Sequence, residues 1–269
     1  MTRGRFRLYR CAIAGVEAVE AETRHSFPRH THEQFGIGVI YRGAQKSLSG
    51  RGMVEAGAGD VITVNPNEVH DGAPIGDDRW WRILYFEPGL IGDVVCDVTE
   101  GRSRAVEIPR PVIHEAAIAA RFDSLFSAAI DTEGSPDSLQ RDELFLRLVA
   151  DVMCDQTEAE GETGVPESIR LARGLIDDDP TATVTLSDLA RVSGLNRFQV
   201  LRAFARVTGL TPHAYLVQRR VHLARRLIAK GTALAEAALV SGFADQSHMT
   251  RVFVRNYGIS PGVYAEAVS

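Results

Sequence analysis

Cysteine is scarce in this sequence, and long apolar runs are missing. The three cysteines, Cys11, Cys96 and Cys154, form no CxxC pair and are odd in number. This usage argues against a disulfide framework and indicates a reducing compartment. No apolar run approaches the length of a membrane span, and the patch at Cys11–Val16 is shorter than a signal peptide needs. We therefore expect a cytoplasmic protein.

Charge is unevenly distributed along the 269 residues. Residues 165–269 carry 13 Arg or Lys against 8 Asp or Glu, whereas residues 1–164 carry 17 against 27. The overall charge of −5 thus conceals a basic C-terminal part joined to an acidic N-terminal part. A chain of this length is expected to form two domains, and each half can bury its own core.

The last third of the chain repeats one building block. Six residues of the first copy recur 49 positions later: Asn196, Arg202, Phe204, Gly209, Pro212 and Tyr215 are matched by Asp245, Arg251, Phe253, Gly258, Pro261 and Tyr264. Upstream, the match continues at an offset of 48. The second copy therefore has one extra residue, in a turn, where an insertion costs least.

Each copy is predicted to be a helix, a tight turn and a second helix. The first helices are predicted at residues 186–192 and 234–240. Ser193-Gly194 and Ser241-Gly242 then end these first helices. Asn196 and Asp245 cap the second helices. In a helix-turn-helix the second helix enters the major groove of DNA, so its outward face is where base-reading residues belong.

The second helix of each copy has two distinct faces. Turning 100° per residue places Val200 and Phe204 on an inward face of the first copy, and Met249 and Phe253 on that of the second. The residues on the opposite faces are predicted to point outward.

Outward arginines occur at the same place in both helices. Arg202 and Arg251 can each donate two hydrogen bonds to O6 and N7 of a guanine, and the flanking Arg206 and Arg255 can reach phosphates. A single amphipathic helix with an outward Arg is usually an ordinary solvated face, but two equivalent copies favour DNA binding.

A helix from Pro212 to Lys230 is predicted to join the two copies, with a length of about 28 Å at 1.5 Å per residue. That length is close to the roughly 34 Å between successive major-groove openings on one face of B-DNA. Four residues fall on one stripe of this helix, which either follows the DNA backbone or is a solvated face: Arg219, His222, Arg226 and Lys230. Arg220 lies beside the apolar side and is interpreted as structural.

These residues carry a family resemblance. The segment from Thr185 to Ala265 resembles the DNA-binding domain of AraC/XylS-type transcription regulators, whose second half has a signature close to residues 241–253 and ends in Gly258-Ile259-Ser260-Pro261. The resemblance implies base contacts from Phe198, Leu201, Arg202, Gln246, Ser247, Thr250 and Arg251. We add Arg197, which departs from the usual Pro or small polar residue, together with Arg206 and Arg255, to the predicted DNA-binding set.

The N-terminal part has short apolar runs separated by turns. Strands are predicted at residues 34–41, 60–64 and 80–86, with turns at Arg42-Gly43, residues 49–52, residues 57–59 and residues 65–67. Close-spaced short strands favour a barrel or sandwich. His30-Thr31-His32, Gly59-Asp60 and residues 66–70 resemble a cupin, the jelly-roll barrel that AraC-type regulators often use as a sensor.

Three histidines are the candidate site residues of this half. His30 and His32 alternate in an extended segment, so they share a face, and His70 can join them inside the barrel. Three imidazoles can hold Zn²⁺ or Fe²⁺, but the positions where a metal cupin supplies its Glu are here Gly36 and Ile37. We therefore predict no metal, no cofactor and no catalytic residue. The predicted effector pocket contains His30, His32, His70, Trp81 and Tyr85, with plain core as the alternative for Trp81 and Tyr85.

The predicted fold is a multidomain α+β protein. It has a cupin-like jelly-roll barrel at residues 1–110, a helical pair at 111–155, a linker at 156–166 and an all-α tandem helix-turn-helix domain at 167–269. The pair is predicted as helices at 112–130 and 138–153, and the first helix of the last domain at 167–176. The pair either forms a dimerisation surface or packs on its own barrel.

We expect a sequence-specific transcription regulator that senses a small molecule and is not an enzyme. Its implied partners are double-stranded DNA, RNA polymerase, a second copy of the chain and an effector such as an amino acid or related metabolite. Two alternatives stay open at this point: a metal-dependent cupin enzyme with an accessory DNA-binding domain, and an interaction module that oligomerises through the central helices.

Overall fold

The computed structural model describes residues 4–98, 106–131, 138–153 and 165–268 of the chain. The chain forms two compact units, one of residues 1–26 and 31–159 and the other of residues 27–30 and 160–269. Residues 27–30 form a strand that is hydrogen-bonded into the eight-stranded sheet. Within the described ranges, no helix is both long and apolar enough to cross a lipid bilayer.

The first unit is built on an antiparallel sheet. Its strands are β1 (Arg5–Tyr9), β2 (Val16–Thr23), β3 (Phe27–His30), β4 (Phe35–Ser49), β5 (Gly52–Ala56), β6 (Val61–Val64), β7 (His70–Phe86) and β8 (Val112–Ile113). They form one eight-stranded sheet in the order β1-β2-β7-β4-β6-β8, with β3 paired to β7 and β5 to β4. Every pairing along this path is antiparallel, as the cupin-like prediction requires.

Strands β4 and β7 are longer than predicted. The turn expected at Arg42-Gly43 is wrong, because the two strands stay paired as far as Lys46 and Ala73. The register shifts on both sides of Arg42, and Gly43 has a φ of 75°. Glycine adopts that left-handed conformation without a Cβ clash, so these residues form a bulge that bends the strand without ending it.

Three helices cover one face of the sheet: α1 (Pro88–Val98), α2 (Ala116–Ile130) and α3 (Ser138–Met153). Phe122 and Phe126 of α2 are fully buried in the same core cluster as Phe86 of β7. Phe145 of α3 stacks on Phe86 with ring centroids 5.3 Å apart. The apolar faces of the predicted helical pair therefore pack on their own sheet.

The start of that pair differs from the prediction. Val112–Ile113 are not helical but form β8, which pairs with β6. Helix α2 begins only at Ala116, because two β-branched residues already complete the edge of the sheet. The helix predicted at 138–153 has the bounds of α3. The predicted linker at 156–166 lies, up to residue 164, outside the described residues, as does Cys154.

The second unit is helical. It contains α4 (Glu167–Asp178), α5 (Leu186–Ser193), α6 (Arg197–Thr208), α7 (Pro212–Ala229), α8 (Leu234–Val240), α9 (Gln246–Tyr257) and α10 (Pro261–Val268). These bounds confirm the two predicted helix-turn-helix units and the helix that joins them. Gly209 and Gly258, one repeat apart, end α6 and α9 in the left-handed conformation, with φ of 74° and 76°.

Candidate functional site

Helix α6 begins at a capping box. The Asn196 side chain accepts a hydrogen bond from the Gln199 N–H at 2.9 Å, and the Gln199 side chain accepts one from the Asn196 N–H at 3.0 Å. This start, together with complete burial of Val200 and Phe204, fixes which face points outward. On the outward face, the exposed residues of the predicted set are Arg197, Leu201, Arg202 and Arg206. The side chain of Phe198, also in that set, lies outside the described ones.

Helix α9 repeats this arrangement with a simpler cap. The Asp245 carboxylate accepts a hydrogen bond from the His248 N–H at 2.7 Å. Met249 and Phe253 are fully buried, as predicted for the inward face. The predicted residues on the other face are exposed at Gln246, Ser247, Arg251 and Arg255 and half-buried at Thr250.

The sequence repeat is also a packing repeat. In the first copy, the rings of Phe204 and Tyr215 lie 5.4 Å apart between centroids. In the second copy, the equivalent rings of Phe253 and Tyr264 lie 5.6 Å apart. Each aromatic pair packs a candidate recognition helix onto the helix that follows it. The same kind of aromatic contact therefore holds both recognition helices in place.

Helix α7 does not present the charged stripe that the sequence predicts. His222 is only 2% exposed, and the Arg219 Nε lies 2.9 Å from the Asp177 carboxylate. That stripe assignment is therefore wrong for these two residues. The reason is that α7 contacts α4, α6, α8, α9 and α10, so more than one of its faces is covered. Arg226 and Lys230 are exposed.

Polar contacts of α7 fix the second copy. The structural role predicted for Arg220 is confirmed, because its Nε donates to the Pro180 carbonyl at 2.8 Å. A Cβ on Gly242, in the turn of the second copy, would lie 2.9 Å from that Nε, so the turn needs a glycine there. The buried amides of Gln218 and Asn256 are joined by a 3.0 Å hydrogen bond from α7 to α9.

Three histidines of the sheet domain come together. His30, His32 and His70 are 4%, 8% and 9% exposed, and one potential ligand atom from each lies within 4.8 Å of the others. The Nδ1 of His30 is 2.7 Å from the Pro28 carbonyl, and the Nδ1 of His70 is 3.0 Å from the Glu68 carbonyl. A carbonyl only accepts hydrogen bonds, so each of these two Nδ1 atoms carries a proton. Burial lowers the pKa of His70, which favours its neutral ring.

Tyr85 belongs to this cluster, whereas Trp81 lies farther along the same strand. The ring of His32 is 5.0 Å from that of Tyr85 and 5.2 Å from that of His70, between centroids. Trp81 lies on the same face of β7, four residues earlier and so about 13 Å along the strand. It packs against Phe6 at 6.3 Å.

One charged residue of this face was missed. Arg79 is 1% exposed, its guanidinium carbon lies 4.7 Å from the Trp81 ring centre, and an Nη donates to the Gly72 carbonyl at 3.3 Å. Burial lowers its pKa to about 10, which leaves it charged at neutral pH. Alternation along β7 puts Arg79 on the face of Trp81 and Tyr85, but the strand was predicted to begin at residue 80.

Comparison with known proteins agrees with both halves. Residues 13–149 match the AraC-like ligand binding domain, and residues 189–267 match a helix-turn-helix domain. The uncharacterized HTH-type transcriptional regulator YbfI of Bacillus subtilis is 26% identical over 227 residues, which cover 83% of this chain and 81% of YbfI. The transcriptional activator NphR of Rhodococcus sp is 38% identical over 84 residues, which cover 31% of this chain and 25% of NphR.

Solved structures show the same fold. ToxT from Vibrio cholerae O395 has a TM-score of 0.57 and 13% sequence identity, with 100% of both chains covered. The ligand-binding match spans about half of this chain, and the helix-turn-helix match spans both copies of the repeat except the first three residues of α5. The chain therefore belongs to the AraC family of DNA-binding transcription regulators, with a ligand-binding domain followed by a helix-turn-helix domain.

Proposed function

We propose that α6 and α9 enter two consecutive major grooves of one DNA site. The observation that carries this proposal is the equivalence of the two helices: Arg202 and Arg251 are exposed at the same repeat position, above the fully buried Phe204 and Phe253. Helix α7, of 18 residues, joins the copies and is about 27 Å long. That length suits a step of one DNA turn, roughly 34 Å, between the two outward faces.

The residue types divide between reading bases and holding the backbone. Arg202 and Arg251 can each donate two hydrogen bonds to a guanine, and Gln246 can pair with adenine N6 and N7. Ser247 and Thr250 can bond to several base edges, and Leu201 can contact a thymine methyl group. Arg197, Arg206 and Arg255 are assigned to phosphates, with Arg226 and Lys230 of α7 as further phosphate contacts.

The proposed effector site is the histidine cluster with Tyr85. His30, His32 and His70 are buried and close together, and Tyr85 adds an aromatic face with a polar tip. Trp81 would contact the effector only if the effector is long enough to extend from the histidine cluster along β7. The effector class that we propose is an amino acid or related metabolite.

The proposed regulator acts in the cytoplasm, with RNA polymerase and a second copy of the chain as partners. A regulator that binds DNA changes transcription through polymerase recruitment or exclusion, and the effector biases it between arrangements of different DNA affinity. A coupling of about 1–3 kcal/mol would give roughly a 5- to 150-fold response in DNA affinity.

Selection of binding sites from random DNA tests the DNA-binding proposal. The full-length protein is used to enrich a site, and its affinity for that site and for shuffled DNA is measured by fluorescence anisotropy at two salt concentrations. We expect a site that binds roughly 10³-fold or more tightly than shuffled DNA, since that is the lower end for specific regulators. Equal affinity for both DNAs, falling equally with salt, would mean that the basic unit binds backbone only.

A further inference from the structure

An apolar crevice lies in the helical unit, on the first helix-turn-helix copy. Helices α4, α5, α6 and α7 all contribute to it, and its volume is about 380 Å³. The aliphatic side chains that line it are those of Ile176, Val184, Leu186, Leu189, Leu201 and Leu216. We propose that this crevice binds one uncharged, mainly apolar small molecule. Binding itself does not rest on the proposed function, but its effect on DNA affinity does.

The crevice extends from the core of the copy to its surface. On the inner side, Ile176 is 1% and Leu189 is 2% exposed. On the outer side, Leu201 of α6 is 37% exposed and Leu216 of α7 is half-buried. An apolar ligand would therefore contact aliphatic groups over its inner surface and would remove exposed leucine surface from water, which favours binding.

The lining selects against a charged ligand. Among the described residues that line the crevice, none is Asp, Glu, Lys or Arg. A charged group placed there would lose its hydration without gaining a permanently charged partner, which is costly. The polar lining side chains are those of Thr211 and His213, both exposed at the start of α7. A ligand with an apolar body and one hydrogen-bonding group on its solvent side would match this distribution.

The size of the crevice favours a small molecule over a protein partner. Cavities that hold small ligands measure about 300–1,000 Å³, and this crevice falls near the lower end of that range. A stable protein interface takes about 20–30 residues from each side. Nine residues line the crevice, so it is too small to form such an interface by itself.

The second copy carries a different set of residues at the equivalent positions. The places that match Leu189, Leu201 and Leu216 hold smaller or more polar residues, namely Ala237, Thr250 and Ala265. A helix-turn-helix of this kind therefore forms without leucine at these three positions. The leucine lining of the crevice is a property of the first copy and not a requirement of the repeated fold.

Ligand binding and DNA binding would share one side chain. In the proposed DNA complex, Leu201 contacts a thymine methyl group from the outward face of α6, and the same Leu201 lines the crevice. A ligand that covers Leu201 would therefore compete with DNA for it. Because such coupling is reciprocal, DNA would lower the affinity for the ligand by the same factor. We expect the ligand to inhibit DNA binding by the first copy.

Titration with N-phenyl-1-naphthylamine tests the crevice. This neutral molecule has three aromatic rings and one N–H group, and its fluorescence rises in apolar surroundings. We expect saturable binding to the full-length protein, with shifts of the methyl NMR signals of Leu189 and Leu201. Leu216→Phe and Val184→Phe fill the crevice and should each weaken binding at least roughly tenfold, since one methylene in an apolar pocket is worth about 10- to 200-fold. Leu171→Phe, at a 44% exposed leucine of α4 outside the lining, is the matched control and should bind like the wild type.

Two filled variants and a second readout keep the outcomes separate. Circular dichroism shows whether each variant folds, and either folded variant suffices for the comparison. If the probe does not bind saturably, or if a folded filled variant binds it as tightly as the wild type, the proposal is overturned. DNA affinity measured with and without the probe reports on the proposed function. Binding in the crevice that leaves specific DNA affinity unchanged would contradict the proposed Leu201 contact alone, and the ligand site would stand.

Discussion

The two helix-turn-helix copies share a scaffold but differ at their helix starts and in their outward chemistry. In the first copy, Thr185 and Asn196 form capping boxes at α5 and α6. In the second copy, the N-cap of α8 is Ala233, which has no side chain able to cap, and Asp245 caps α9 without a reciprocal hydrogen bond from the third helical residue. The two copies thus share their buried core residues and the left-handed glycines that end α6 and α9, while their helix starts and the turns inside each copy differ.

Outward residues show the same divergence. Of the predicted DNA-binding residues whose side chains the structure describes, those on α6 are three arginines and one leucine. Those on α9 are one amide, two hydroxyl residues and two arginines. Amides and hydroxyls discriminate between bases by hydrogen bonding, while arginines bind both guanine and phosphate. We infer that the second copy contributes more base discrimination and the first copy more affinity.

Core truncation should have the largest effect. Phe204→Ala and Phe253→Ala each remove a fully buried ring, so each should destabilise its copy by about 3–5 kcal/mol. Amide hydrogen exchange of the full-length protein measures this locally, with Val254→Ala, a 38% exposed residue of α9, as the control. Faster exchange in both copies from either change would show that they open together. If neither change alters exchange, the inward faces are assigned backwards.

Removal of either of the two equivalent arginines should have the second-largest effect. Arg202→Ala and Arg251→Ala should each cost about 1–3 kcal/mol on the selected DNA site and relax the base preference at the positions that each reads. Arg170→Ala, an exposed arginine on α4, is the matched control. Unchanged specific affinity in folded forms of both variants would contradict the groove assignment.

Repair of the missing cap should have a smaller effect. Ala233 is the N-cap of α8 and Glu236 is its N3 residue, so Ala233→Ser would complete a capping box like that of α5. We expect a gain of about 0.5–2 kcal/mol in the local stability of α8, and a similar loss in α5 from Thr185→Ala. Hydrogen exchange measures both, and a gain in α8 near zero would show that its start is held by packing.

Acid should weaken the first copy through Asp188. Hydrogen bonds from the Thr185 hydroxyl and N–H lower the pKa of the Asp188 carboxyl in the folded protein. A lowered folded pKa adds stability that is present above the unfolded value, about 3.9, and is lost as the pH falls through the folded value. Wild-type exchange in α5 should therefore approach that of Asp188→Asn below about pH 4. If exchange in α5 still differs between the wild type and Asp188→Asn at pH 2, the Asp188 carboxylate is not the cause of the acid sensitivity.

The sequence predicted the helical half more fully than the sheet half. Capping residues, left-handed glycines and the 49-residue repeat are local signals, and they located α5, α6, α8 and α9 closely. His222 and Arg219 were misplaced because the burial of α7 depends on helices from both copies. Strands β1, β2, β3 and β5 and helix α1 were not predicted, since strand pairing is set by distant residues.

The candidate site residues likewise divide into those that local sequence patterns predicted and those that depend on long-range strand pairing. Exposure of Arg202 and Arg251 followed from helical periodicity alone, and the grouping of His30 with His32 followed from alternation in an extended segment. The approach of His70 and Tyr85 depends on how β7 pairs with its neighbours. Arg79 was missed because the bulge at Gly43, which lengthens that pairing, resembles a turn in the sequence.

A footprint of the full-length protein on its selected DNA site tests the central claim most directly. Hydroxyl-radical cleavage and guanine methylation interference would be recorded for the wild type and for Arg202→Ala and Arg251→Ala. We predict two protected segments on one face of the duplex, about 10–10.5 base pairs apart, with each variant losing interference at a guanine of one segment only. A single protected segment, or loss of the same guanine contact in both variants, would contradict binding through two consecutive major grooves.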